Sequence, residues 1–162
     1  MKRLHAAIQF GTPMIVCLGI MFTVFAVDSH AGPKKALLVN VHDQVIYAVD
    51  NYQIVYKFDV ITGRPGKETI PGKFTIFKKI EDYTSKTYKA PMPYTMFFSK
   101  DGKAVHGTKW ATLRSYLHAY ITESVGSMGC VGLTEDDART LFGWATVGTP
   151  VVILDEATED RN

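Results

Sequence analysis

The chain has 162 residues, with 18 Lys and Arg against 16 Asp and Glu and a formal net charge of +2. Both signs are interspersed, which excludes a basic nucleic-acid stripe or a polybasic membrane patch as the natural binding surface. Only two cysteines occur, Cys17 and Cys130, so no disulfide framework can staple the fold.

Lys2 and Arg3 precede an apolar run from Met14 to Val27, and Ser29-His30-Ala31 then offers a small-x-small pattern before Gly32. Residues 1–31 read as a secretory signal peptide cut after Ala31, because the apolar run falls short of the roughly 20 residues a spanning helix needs. Cys17 leaves with it and is no lipid-attachment site, since Val16 stands where a small residue is required. Residues 32–162 then form one exported domain, with no linker or repeat to divide it and enough length to bury about two-thirds of its unfolded surface. Cys130 is the one thiol left in an oxidising compartment and has no internal partner. Its surround, Gly126-Ser127-Met128-Gly129-Cys130-Val131-Gly132, offers little side-chain bulk and points to a functional thiol rather than a buried inert one.

Leu37–Val41 and Val45–Val49 flank His42-Asp43-Gln44 and predict a hairpin. Gln53–Val60 predicts a third strand, ending at Thr62-Gly63-Arg64-Pro65-Gly66, so the first three strands form a meander. After Pro71-Gly72, residues Lys73–Ile80 alternate as one half-buried strand should, and the polar stretch Glu81–Lys89 fits either a loop or a strand running past the sheet. Tyr94–Ser99 and Ala104–Thr108 flank Lys100-Asp101-Gly102-Lys103, whose Asp-Gly pair predicts a hairpin turn and sets His106 near a strand end. Leu113, Leu117, Tyr120 and Ile121 fall at helical spacing and predict a short helix over Thr112–Thr122. Thr134-Glu135-Asp136-Asp137 supplies an N-cap and an acidic first turn for a helix running through Ala138–Trp144. Thr149-Pro150 leads into Val151–Leu154, an apolar strand short enough to be central. The predicted architecture is mostly β with one or two short helices.

A cysteine nucleophile needs a base, and three histidines remain after signal removal: His42, His106 and His118. His42 reads as a solvated turn residue, and His118, on the predicted helix, as a packing or surface residue. His106 is favoured, because a strand end before Gly107 fixes its ring on a rigid element. One cysteine and three scattered histidines lack the paired spacings of a metal site, and helix capping already explains Asp136 and Asp137.

Val105-His106-Gly107-Thr108 and Ser127-Met128-Gly129-Cys130 carry His-Gly-Thr and Ser-x-Gly-Cys signatures in that order. Met92-Pro93-Tyr94-Thr95-Met96-Phe97-Phe98 reads as M-P-Y-x-M-x-F, and Gly72-Lys73-Phe74 as G-x-F. Together they resemble the catalytic domain of L,D-transpeptidases, exported enzymes that cross-link bacterial peptidoglycan, over nearly all of residues 32–162. The resemblance implies an L,D-transpeptidase-like β-sandwich acting on peptidoglycan stem peptides in the periplasm or cell envelope, as a monomer, with no membrane span after signal cleavage and no metal or organic cofactor. It implies Cys130 as the nucleophile that forms a thioester and His106 as its base, oriented by the Gly107 carbonyl. Amides around Met128, Gly129 and Cys130 would hold the oxyanion, with Ser127 and Thr108 on the substrate side.

The sequence departs from the pattern at several points. Met128 replaces a frequent histidine, Ile70-Pro71 shifts the proline by one place, and Gly132 stands where the family usually has arginine or asparagine. The interval from His106 to Cys130 is longer than in many members by about eight residues, which fits a lid. Arg114 and Lys109 within it are candidates for the positive charge missing at position 132. The same site with water as acceptor would make an L,D-carboxypeptidase, and a degenerate site a peptidoglycan-binding protein. A sortase-like enzyme ranks below these, because the T-L-x-T-C run is absent.

Overall fold

The computed structural model of the protein describes residues 34–108 and 126–156. The expected signal peptide, the expected helix over Thr112–Thr122 with His118, and Lys109 and Arg114 all lie outside the described residues. Within them the chain forms nine strands and one helix.

β1 (Lys35–Asn40), β2 (Val45–Asp50) and β3 (Gln53–Asp59) are the expected meander, paired antiparallel with Leu38 opposite Tyr47 and Ile46 opposite Phe58. β9 (Pro150–Leu154) joins β1 in parallel, and β4 (Gly72–Thr75) closes the sheet on its other side, so the order is β3-β2-β1-β9-β4. The last apolar run is therefore an interior strand. The second sheet runs β5 (Lys78–Thr84), β6 (Pro91–Phe97), β7 (Ala104–Gly107) and β8 (Val131–Leu133) in sequence order.

The single strand expected over Lys73–Ile80 is two strands in different sheets. The chain changes sheets at Ile76 and Phe77: Ile76 N–H donates to the Thr149 carbonyl at 2.9 Å, on the first sheet's side, and Phe77 N–H to the Phe97 carbonyl at 3.0 Å, on the second's. Two adjacent apolar residues at the crossover break the alternation that a half-buried strand requires. Of Glu81–Lys89, the first half continues β5 as far as Thr84, and the rest is a turn closed by Ser85 N–H to Ala90 O at 2.9 Å.

Leu37, Val39 and Ile46 from the first sheet and Met96, Val105, Val131 and Leu133 from the second share one buried core. Each such side chain contributes about 1.5–3 kcal/mol by leaving water. Helix α1 (Glu135–Trp144) adds Ala138 and Leu141 to that core and packs against β6 and β7. It starts as the sequence predicts, with the Thr134 hydroxyl accepting the Asp137 N–H at 3.2 Å. The second sheet and α1 together frame the residues singled out by chemistry.

Candidate active site

β7 and β8 run parallel, with Val105 opposite Val131 and His106 opposite Gly132. Strand alternation sends Val105 and Val131 into the core, so His106, Gly132 and Cys130, just before β8, share the other face. That face opens on a cavity of about 620 Å³ lined by both His106 and Cys130, with Met92 and Pro93 of β6 on its wall. Gly107 lets the layers close: a Cβ there would sit 3.0 Å from Pro93 Cγ and 3.3 Å from Ala138 Cβ.

His106 Nδ1 lies 2.8 Å from the Gly107 carbonyl oxygen. A carbonyl only accepts, so Nδ1 carries the proton and Nε2 presents its lone pair. Burial pushes the imidazole below the ordinary histidine range, and the Gly107 carbonyl offsets part of that. The Cys130 thiol is pushed up, chiefly by burial against Met92, Phe97 and Ala104. A backbone hydrogen bond at Ala104 and the charge of Lys103 pull it back. Near neutrality the pair is therefore imidazole and thiol rather than an ion pair. Sγ points to the Gly102 carbonyl oxygen at 3.9 Å.

The loop carrying Cys130 is braced from three sides. The Ser127 hydroxyl donates to the Cys130 carbonyl and accepts the Gly129 N–H at 3.0 Å. Residues 61–69 grip the loop: Gly132 and Ile61 exchange two backbone hydrogen bonds of 2.8 Å, Ser127 N–H donates to Thr62 O at 2.8 Å, and Thr69 Oγ1 donates to Cys130 O at 3.3 Å. From the β6–β7 turn, Lys103 Nζ donates to Met128 O at 2.8 Å. Gly129 has a φ of +96°, where side chains are strained, and a Cβ on it would lie 2.7 Å from Lys103 Nζ. The Gly129 amide is thus engaged by Ser127, whereas the amides of Met128 and Cys130 carry no hydrogen bond among the described residues.

Met128, Ser127 and Thr108 line the same cavity as Cys130 and His106, whereas His42 sits in the β1–β2 turn, away from the cavity lining. Gly132 acquires a physical reason. A Cβ at that position would meet Thr108 Cγ2 at 3.0 Å, a contact tight enough that the threonine methyl would have to give way by a few tenths of an ångström. Two features escaped sequence reasoning. Lys103 looked like part of a turn, and residues 61–69 looked like a connection; a buried Thr69 within it has no signature in a single sequence.

A family model described as YkuD, the L,D-transpeptidase catalytic domain, matches residues 34–153. No curated protein matches. Among solved structures, an L,D-transpeptidase from Stackebrandtia nassauensis superposes with a TM-score of 0.68 at 26% identity, covering 85% of this chain and 63% of that one. An L,D-transpeptidase of Enterococcus faecium gives 0.66 at 22% identity, over 75% of this chain and 50% of that one. L,D-transpeptidase 3 from Mycobacterium tuberculosis, in complex with a faropenem-derived adduct, gives 0.59 at 18%, over 76% and 61%. The chain thus spans between 50% and 63% of the length of these relatives. With the family model covering most of its length and the two-sheet fold shared, the chain belongs to the L,D-transpeptidase catalytic domain family.

Proposed function

We propose that this protein is an exported peptidoglycan L,D-transpeptidase that works through a thioester on Cys130. The observation that carries the reading is the placing of His106 and Cys130 on one face of paired strands, in one cavity, with the imidazole tautomer fixed by the Gly107 carbonyl. Residues 1–31 act as the signal peptide and 32–162 as the catalytic domain in the periplasm or cell envelope. Among the described residues no helix is long and apolar enough to cross a membrane.

In the first half-reaction Sγ attacks the carbonyl of the diamino acid in a tetrapeptide stem while Nε2 of His106 takes the thiol proton. The proton transfer requires the Cys130 side chain to turn from the Gly102 carbonyl toward the ring. The sulfur–carbon bond forms, the carbon–nitrogen bond breaks, and the imidazolium returns its proton to the departing D-alanine. The amides of Met128 and Cys130 stabilise the oxyanion, and Ser127 holds the loop that aims them. In the second half an acceptor amine attacks the thioester, gives its proton to His106, and the thiol is restored. Thr108 lines the substrate's path, and Arg114 remains a candidate contact for the stem.

Mass analysis of products from the mature protein and disaccharide tetrapeptides tests the reading. Cross-linked dimers that vanish in Cys130→Ala support it. Tripeptides alone would replace it with an L,D-carboxypeptidase, and no product of either kind with a degenerate, binding-only site.

A further inference from the structure

The Met128–Gly129 peptide is held at both ends, its carbonyl by Lys103 Nζ at 2.8 Å and its N–H by Ser127 Oγ at 3.0 Å. Lys103 lies directly over Gly129, its side chain 29% exposed, with Asp101 Oδ2 3.9 Å from the ammonium. Among the described residues it is the only lysine or arginine lining the cavity. Immobilising a lysine costs rotamer entropy, yet the acyl-transfer steps above give this one no part.

We propose that Lys103 is a positioning residue of the thiol site: its ammonium clamps the Met128–Gly129 peptide and sets a positive charge beside Cys130, with Asp101 acting against it. The clamp fixes the peptide that precedes the nucleophile, and through it the direction of the Cys130 N–H. The charge favours the thiolate that forms as the proton leaves. Burial opposes that thiolate most and a backbone hydrogen bond at Ala104 favours it next, with Lys103 and Asp101 following at opposite sign. The cavity's other titratable groups are Asp82 and Tyr83 on β5, Tyr88 in the turn beyond it, His106 on β7 and Glu135 on α1. The inference rests on Cys130 being the reactive thiol of the proposed site and not on the identity of the acyl donor.

Alkylation of the mature protein by iodoacetamide, an uncharged probe, reads this directly as a function of pH, since the sulfur–carbon bond forms from the thiolate as iodide leaves. Lys103→Met should raise the midpoint of the profile and slow alkylation at pH 8 by about three- to tenfold, a partly exposed charge acting over a few ångströms. Lys103→Arg keeps the charge and should hold the midpoint near wild type, while Asp101→Asn should move it down. An unmoved midpoint in Lys103→Met, or the same rise in Lys103→Arg, overturns the proposal. If Lys103→Met fails to fold, Asp101→Asn on its exposed turn decides, and no downward shift there overturns it equally. Opposite shifts in a protein that leaves tetrapeptides untouched would refute the acyl-donor reading while sustaining this one.

Discussion

His106 and Cys130 are neutral together because both are half-buried and burial disfavours either charged form. For the imidazole the sign is downward, so it stays an unprotonated base below the ordinary histidine value of about 6.5. Acylation by a β-lactam or a stem peptide is expected to hold its rate as pH falls through 6.5 and to decline only beneath it. An acid limb at or above about 6.5 would contradict a buried neutral base. Gly132 gives a second test, in denaturant. Gly132→Arg forces a Cβ toward Thr108 Cγ2, 3.0 Å away, and such overpacking costs about 1–3 kcal/mol. Thr108→Ser in the same chain removes that methyl, keeps the hydroxyl and should recover most of the loss. At this scale the sequence was informative about residue types and silent about their company. Cys130 between glycines and His106 before Gly107 were legible, whereas Lys103 reaches Met128 only because a turn folds back on a loop 25 positions away.

The helix shows the same division among elements. Its start was readable, since a cap is a local device: Thr134 and Asp137 lie three apart and meet in the fold. Its end is held from a distance. No basic residue stands in the last turn of α1, but Lys79 of β5 donates to the carbonyls of Phe142 and Ala145, and Lys35 of β1 to Trp144 O at 3.2 Å. Two sheets thus supply the cations that the helix C-terminus attracts. Lys79→Met should lower stability by about 1–3 kcal/mol, the usual cost of losing charged hydrogen bonds to part-buried carbonyls, measured as a lower urea midpoint at unchanged slope. An unchanged midpoint would show that water caps those carbonyls as well. The Lys73–Ile80 segment misled because its period-2 pattern holds over Lys73–Ile76, and the Ile76-Phe77 and Lys78-Lys79 doublets that mark the break follow directly.

For the molecule as a whole, two parallel pairings do most to set the architecture: β1 with β9, and β7 with β8. Parallel neighbours need a crossover of a dozen or more residues, so a long interval between His106 and Cys130 is a topological requirement before it is a functional one. Sheet order of this kind depends on contacts between residues far apart in the chain, and no local pattern encodes it; the order of motifs along the chain could be read directly, whereas the meeting of His106 and Cys130 was implied by the family resemblance and not by any local pattern. The central claim is that Cys130 is acylated with His106 as its base. Time-resolved intact-mass analysis of the mature protein with one tetrapeptide stem, followed by peptide mapping, measures it. A covalent adduct on Cys130 is predicted, with loss of the terminal residue, slowed by about two to four orders of magnitude in His106→Ala and little changed in His42→Ala and His118→Ala. An adduct at another residue, or equal slowing in His118→Ala and His106→Ala, would contradict it.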